Sequence, residues 1–323
     1  MQKINEKILR ERAKALLADG TVDRVLGWKR GDFDWDVTPG VMTADTLDEF
    51  VWGDFSAPNL SKYLVSETRK DGKILVFLKP CDTYSFNQLL TEHRFDREKV
   101  YAIALPCEGM IDNKKLAKFE GIRSVEAGED TVILHTLYDG DITVPRAEML
   151  AERCKNCKSK KCVAYDELLS ENGEVMDSAR FDEVEKIEAM SADERFAFWQ
   201  NELSKCIRCN ACRDVCPACT CEKCVFDNPA SGIESKAPSD SFEEKMFHII
   251  RAFHVAGRCT DCGECSRVCP QGIPLHLLNR KFIKDMNGFW GDYQAGETVG
   301  SRAPLVDFTL DDMEAHERGG ENA

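Results

Sequence analysis

Long apolar runs are missing from this 323-residue chain. None approaches the roughly 20 apolar residues that cross a bilayer, so membrane insertion is not expected. The first residues, Met1 to Asp19, are charged and amphipathic and have no apolar h-region, unlike a signal peptide or an anchor. A surplus of Lys and Arg is lacking too, the net charge being -14. Nucleic acid binding needs cations that displace the counterions of phosphate, so no nucleic acid partner is expected. Neither a GxGxxG run nor a phosphate loop is present, which leaves no nucleotide fingerprint. The six histidines are scattered. His248 and His254 share an expected helix but stand six apart, which is not one metal-binding face.

What the chain has in quantity is cysteine, 16 in all. Disulfide frameworks belong to short secreted domains. Here the cysteines cluster at metal-ligand spacings in a long chain, so thiol ligands and a reducing, cytoplasmic location are expected. Hydrophobic residues make up 43% and charged residues 31%, enough for real cores under a solvated surface. Length suggests two domains at about 150 residues each.

Periodicity locates the elements. Ile8, Leu9, Ala13, Leu16 and Leu17 mark a helix over residues 5–17, ended by Asp19-Gly20. Residues 24–28 read as a short strand. KILVFLK (73–79) and VYAIAL (100–105) read as buried strands, with a helix over 82–93 between them. Strand, helix, strand at that spacing is a parallel βαβ unit. Residues 131–135 and 141–144 flank Tyr138-Asp139-Gly140 as a hairpin. A helix is expected to start over 145–152 and run into the next cysteines. Residues 158–161 form a small basic cluster, read as a solvated loop. Ser191 and Glu194 form a capping box for the helix leading to Cys206. Further helices are expected over 242–256 and 274–286, with an exposed loop over 228–239. The expected fold is an α/β domain with a mostly parallel sheet (1–170), a linker and helix (171–195), an α-helical dicluster ferredoxin domain (196–288) and an acidic tail (289–323).

Cys206, Cys209, Cys212 and Cys216 stand in CIRCNACRDVCP. Cys259, Cys262, Cys265 and Cys269 stand in CTDCGECSRVCP. Both spell CxxCxxCxxxCP, which resembles the bacterial ferredoxin run. The resemblance implies two 4Fe-4S clusters that exchange their fourth ligands. Cys206, Cys209, Cys212 and Cys269 would hold one, and Cys259, Cys262, Cys265 and Cys216 the other. Proline after the fourth cysteine suits a position where no backbone donor is needed. Structural zinc is the alternative, but it takes paired CxxC units rather than three thiols at one step. Flanking helices make the region similar, over about residues 196–286, to the α-helical ferredoxin domains of succinate dehydrogenase iron-sulfur subunits and heterodisulfide reductase C subunits.

Four more cysteines lie in the α/β half. Cys81 (LKPCD) and Cys107 (LPCEG) each follow a buried strand, and Cys154 and Cys157 form a CxxC. Sites in open α/β sheets gather outside the carboxyl ends of strands. Two such thiols and a CxxC can make a four-thiolate cage, although either cysteine alone reads as ordinary packing. Pro80-Cys81, Cys107-Glu108-Gly109, Cys154 to Cys157 and Asp166 together resemble the beta subunits of deazaflavin-reducing hydrogenases and related formate dehydrogenases, over about residues 73–166. The resemblance implies a third 4Fe-4S cluster on Cys81, Cys107, Cys154 and Cys157, with Cys162 a rival fourth ligand. It also implies FAD, which that family binds with a Gly-rich N-terminal region. This chain departs there, opening with a charged helix and having no Gly-Gly pair before residue 100. Asp82 and Glu108 flank the cysteines as helix caps or as contacts to a partner or cofactor.

Cys219, Cys221 and Cys224 (CPACTCEKC) are left over. They read as part of a fourth cluster with Cys162, as a zinc site, or as a redox-active thiol set. The resemblances imply an iron-sulfur electron-transfer subunit of a hydrogenase, formate dehydrogenase or heterodisulfide-reductase-like complex of an anaerobe, with other subunits as partners. Two alternatives stay open: a flavin-containing subunit that itself reduces a diffusible carrier, and a redox sensor.

Overall fold

A computed structural model describes residues 5–176, 179–228 and 241–304. Nearly all of the expected 228–239 loop and most of the acidic tail lie outside these residues. In the first half, α1 (Glu6–Ala18) leads into the hairpin β1 (Arg24–Arg30) and β2 (Val37–Met42). Next come α2 (Leu64–Glu67), β3 (Ile74–Leu78), α3 (Pro80–Thr91) and β4 (Val100–Ala104). After α4 (Asn113–Leu116), three strands follow: β5 (Ile122–Ala127), β6 (Thr131–Thr136) and β7 (Asp141–Pro145). Two single-turn helices, α5 (Arg146–Met149) and α6 (Glu152–Lys155), precede the short β8 (Glu167–Leu168).

The main sheet has the order β2-β1-β3-β4-β8. Strands β1, β3, β4 and β8 run parallel, and β3 pairs with β4 from Ile74↔Val100 to Leu78↔Ala104. Every residue of β3 is buried, as the strands of a parallel sheet covered on both faces are. Leu9 and Leu16 of α1 and Phe86 of α3 complete this core with Trp28, Phe77 and Ile103.

The expected mostly parallel sheet is borne out in part: three of the four pairings of the main sheet are parallel, but the region as a whole is mixed. β2 runs against β1, and β5, β6 and β7 form a separate antiparallel sheet. The expected hairpin is β6–β7. β5 escaped the sequence reading because its residues are half-buried or exposed and carry no apolar run. The helix expected from residue 145 is broken into α5 and α6. Asp112 N donates to Met149 O and Ala151 N to Met110 O, each at 2.9 Å, which pulls residues 150–151 into extended pairing.

The second half is helical: α7 (Asp182–Glu188), α8 (Ala192–Leu203), α9 (Ala211–Asp214), α10 (Ser241–Val255), α11 (Glu264–Arg267) and α12 (Leu275–Trp290). The capping box opens α8: Glu194 N donates to Ser191 Oγ at 3.3 Å and Ser191 N to Glu194 Oε2 at 2.9 Å. Helix α10 packs on α8 and α12. Polar contacts join the halves. Arg258 holds Glu92 at 2.8 Å, and Arg280 Nη2 donates to Asn156 O at 3.0 Å.

Candidate metal centres

The two ferredoxin runs fold alike. Arg208 and Asn210 take left-handed backbone in the first (φ 55° and 62°), and Asp261 and Gly263 do so at the matching places in the second (φ 55° and 67°). Alternating hand turns successive N–H groups toward one side of a loop and makes an anion-binding nest. Accordingly Arg208 N donates to Cys206 Sγ and Asp261 N to Cys259 Sγ, each at 3.4 Å. One-turn helices α9 and α11 follow, carrying Cys212 and Cys265.

Three cavities collect the cysteines. Cys206, Cys209, Cys212 and Cys269 line the first, beside Phe247 and His248. Cys216, Cys259, Cys262 and Cys265 line the second, beside His276 and Asn279. Cys81, Cys107, Cys154 and Cys157 line the third, beside Arg153 and Lys158. Folding therefore carries Cys216 to the second run and Cys269 to the first. Among the described residues no three His, Cys, Asp or Glu side chains are gathered to hold one ion. Each foursome surrounds a space instead of a point, which suits a four-iron cube better than a lone cation.

The third cavity lies where the parallel strands end. Adjacent β3 and β4 deliver Cys81 to the first turn of α3 and Cys107 to the following loop. Asp82 is a helix cap: its Oδ2 accepts from Lys79 N at 3.3 Å and from Lys79 Nζ at 2.8 Å, with both side chains buried. Burial pushes the Cys107 thiol up to about 11 and the Cys262 and Cys265 thiols up to about 12. Burial thus disfavours the bare thiolate at these positions, and a bound metal would favour it.

Cations surround the cysteines, several of them buried, and little in the sequence pointed to them. Arg153 donates to Cys262 O and to Ala57 O, each at 2.7 Å, and pairs with buried Glu264. The basic cluster at 158–161 is not a solvated loop. Lys158 is 5% exposed, donates to Thr260 O and stands 4.1 Å from the Tyr84 ring centre. Burial draws its ammonium down to about 8, against the pull of Asp261. Its place directly after Cys157 was the one available signal. Lys160 Nζ donates to Cys107 O at 2.7 Å. Two lysines of the α/β half reach the exchanged cysteines: Lys62 Nζ donates to Cys216 O at 3.1 Å, and Lys114 Nζ to Cys269 O at 2.6 Å.

The remaining cysteines are spread apart. Cys162 is buried, 3.9 Å from Leu105 O, and the next amide, Val163 N, donates to Thr83 Oγ1 near the start of α3. Thr220 meets Glu92 at 3.1 Å, just past the end of α3. The 12 residues of α3 span about 18 Å, so Cys162 and the Cys219–Cys224 segment sit toward opposite ends of that helix. Cys219 contacts Cys216, Cys221 is exposed and Cys224 is half-buried.

Comparison with known proteins bears out both resemblances read from the sequence. Residues 202–273 match the family model of the 4Fe-4S dicluster domain. The chain is 25% identical, over 84% of its length, to the F420-dependent formate dehydrogenase subunit beta of Methanocaldococcus jannaschii, covering 87% of that protein. It is 26% identical, over 90% of its length, to the F420-dependent formate dehydrogenase 1 subunit beta of Methanococcus maripaludis, covering 92% of it. A shorter match, 30% identical over 28% of this chain and 37% of the relative, is the succinate dehydrogenase iron-sulfur subunit of Bacillus subtilis. No described helix is long and apolar enough to cross a membrane.

Proposed function

We propose that this chain is the iron-sulfur electron-transfer subunit of a multi-subunit oxidoreductase of the formate dehydrogenase or hydrogenase kind, holding three 4Fe-4S clusters. The observation that carries this reading is the lining of three cavities by four cysteines each. Similarity to beta subunits over most of the chain supports the assignment to a complex. Bound clusters supply one-electron chemistry. The chain supplies thiolates, nests of N–H donors, exclusion of water and compensating charge.

The cavities suggest an order. Cys262 and Asp261 belong to the second run yet line the third cavity, so these two sites adjoin. Cys216 and Cys269 tie the second site to the first. Cys209 is exposed, which makes the first site the natural place to exchange electrons with a partner. Cys162, Cys219, Cys221 and Cys224 stay outside this three-site scheme.

Anaerobic purification with iron and sulfide counting tests the reading. It expects about twelve irons per chain, about four of them lost in C81S or C154S while the ferredoxin-type EPR signals persist. About eight irons in the wild type would sink the third site, and about sixteen would add a fourth on the remaining cysteines. Stoichiometric flavin would move the reading to a subunit that itself reduces a diffusible carrier.

A further inference from the structure

Helix α10 carries a charge that no hydrogen bond within the described chain explains. Arg251 is 2% exposed, and its Nε, Nη1 and Nη2 are all buried without a hydrogen-bond partner. An unpaired buried guanidinium is strongly unfavourable, so its partner belongs to something the site holds. The thiols within its electrostatic reach are those of Cys265, Cys212, Cys216 and Cys219. Cys212 lines the first cavity, and Cys216 and Cys265 line the second. The side chain thus stands within electrostatic reach of cysteines of both cavities, although it lines neither. Burial works against its charge, but the facing cysteines outweigh burial and keep it charged. One turn earlier on the same helix, His248 lines the first cavity with both ring nitrogens unpartnered. Burial, then the charges of Arg251 and Arg208, bring that ring down to about 3 and keep it neutral.

We propose that Arg251 is the shared counter-cation and hydrogen-bond donor of the two clusters in the ferredoxin half, set within reach of each so that both are reduced more readily. This deepens the function proposed above and rests on it. Reduction adds negative charge to a cluster, and a fixed cation in a low-dielectric interior stabilises the reduced form. Hydrogen bonds to cluster sulfur act in the same direction. A cation shared by two sites also offsets the repulsion that the first electron exerts on the second. Guanidinium suits the position because its planar fork of five donors can serve two acceptors at once. Arg251 keeps its proton throughout and acts on the clusters through its fixed charge.

The test is an EPR-monitored redox titration of the full chain, loaded with iron and handled anaerobically, comparing wild type with R251M and R251K. R251M is expected to keep wild-type iron while the potentials of both ferredoxin-half clusters move negative. The cluster on Cys81, Cys107, Cys154 and Cys157 should hold its potential, and R251K should shift the other two less than R251M. Wild-type potentials in an iron-replete R251M overturn the proposal. Where R251M comes out poor in iron, R251K decides: restored iron upholds the need for a cation, and iron still missing marks the side chain as packing and overturns it. A wild-type chain with fewer than about eight irons would instead defeat the dicluster reading itself, before any variant is compared.

Discussion

Glu264 is fully buried and stands between two arginines. Arg267 holds it at 2.8 Å from within the ferredoxin half, and Arg153 reaches it from the α/β half. Burial opposes its charge, yet Arg153 and then Arg267 hold the carboxyl down at about 2. Glu264→Gln leaves Arg153 short of its counter-charge next to Cys262. Losing one partner of a buried pair costs roughly 3–5 kcal/mol, and anaerobic thermal unfolding should show it. An unchanged melting temperature would contradict the role given to this pair. The pH dependence has a definite sign. A depressed carboxyl stabilises the fold above its unfolded value and loses that contribution as pH falls toward the folded one. For Glu264 the window runs from about 4.5 down to about 2. Wild-type stability should fall there more steeply than that of the Gln variant. None of this was legible beforehand, because a Glu inside a cysteine run reads as a surface residue until its distant partner is known.

At the scale of the element, the two ferredoxin loops share a backbone and differ in one residue that matters. Asn210 and Gly263 hold the same left-handed position. A Cβ on Gly263 would lie 2.6 Å from Arg153 Cβ, and left-handed backbone costs a residue with a side chain about 1–2 kcal/mol. Gly263→Ala should therefore lower both the melting temperature and the iron bound at the second site. Asn210→Gly should stay within about 0.5 kcal/mol of wild type. Equal effects of the two changes would rule out the packing argument. Much at this scale could be read in advance. Period and length marked β3, α3 and β4, Ser191 and Glu194 marked α8, and cysteine spacing grouped the thiols. The antiparallel partner of β1, the strand β5 and the break between α5 and α6 could not be read, because pairing across the chain decides them.

For the whole molecule, the second site is the middle one. It adjoins the third through Cys262 and Asp261 and the first through its exchanged cysteines. Cys262→Ala should leave EPR signals from the two outer clusters while interrupting transfer between them. Rapid-freeze EPR after reduction at one end would then find the far cluster still oxidised at times when the wild type has filled it. Equally fast filling would show that the path bypasses the middle site. The grouping of the cysteines that line the three cavities was legible in spacing and resemblance. The cations Lys62, Lys114 and Arg251 were not, since only tertiary folding brings them to the cysteines; Arg153 and Lys158 adjoin Cys154 and Cys157 in sequence, but their burial and distant partners were not legible.

The exchange of Cys216 and Cys269 has one more consequence. Neither of the first two cavities has its fourth thiol until both runs have folded. Lys62 and Lys114 grip the carbonyls of those same two cysteines from the α/β half. Iron loading and closure of the two halves should therefore be coupled, each completed site lowering the cost of completing its neighbour.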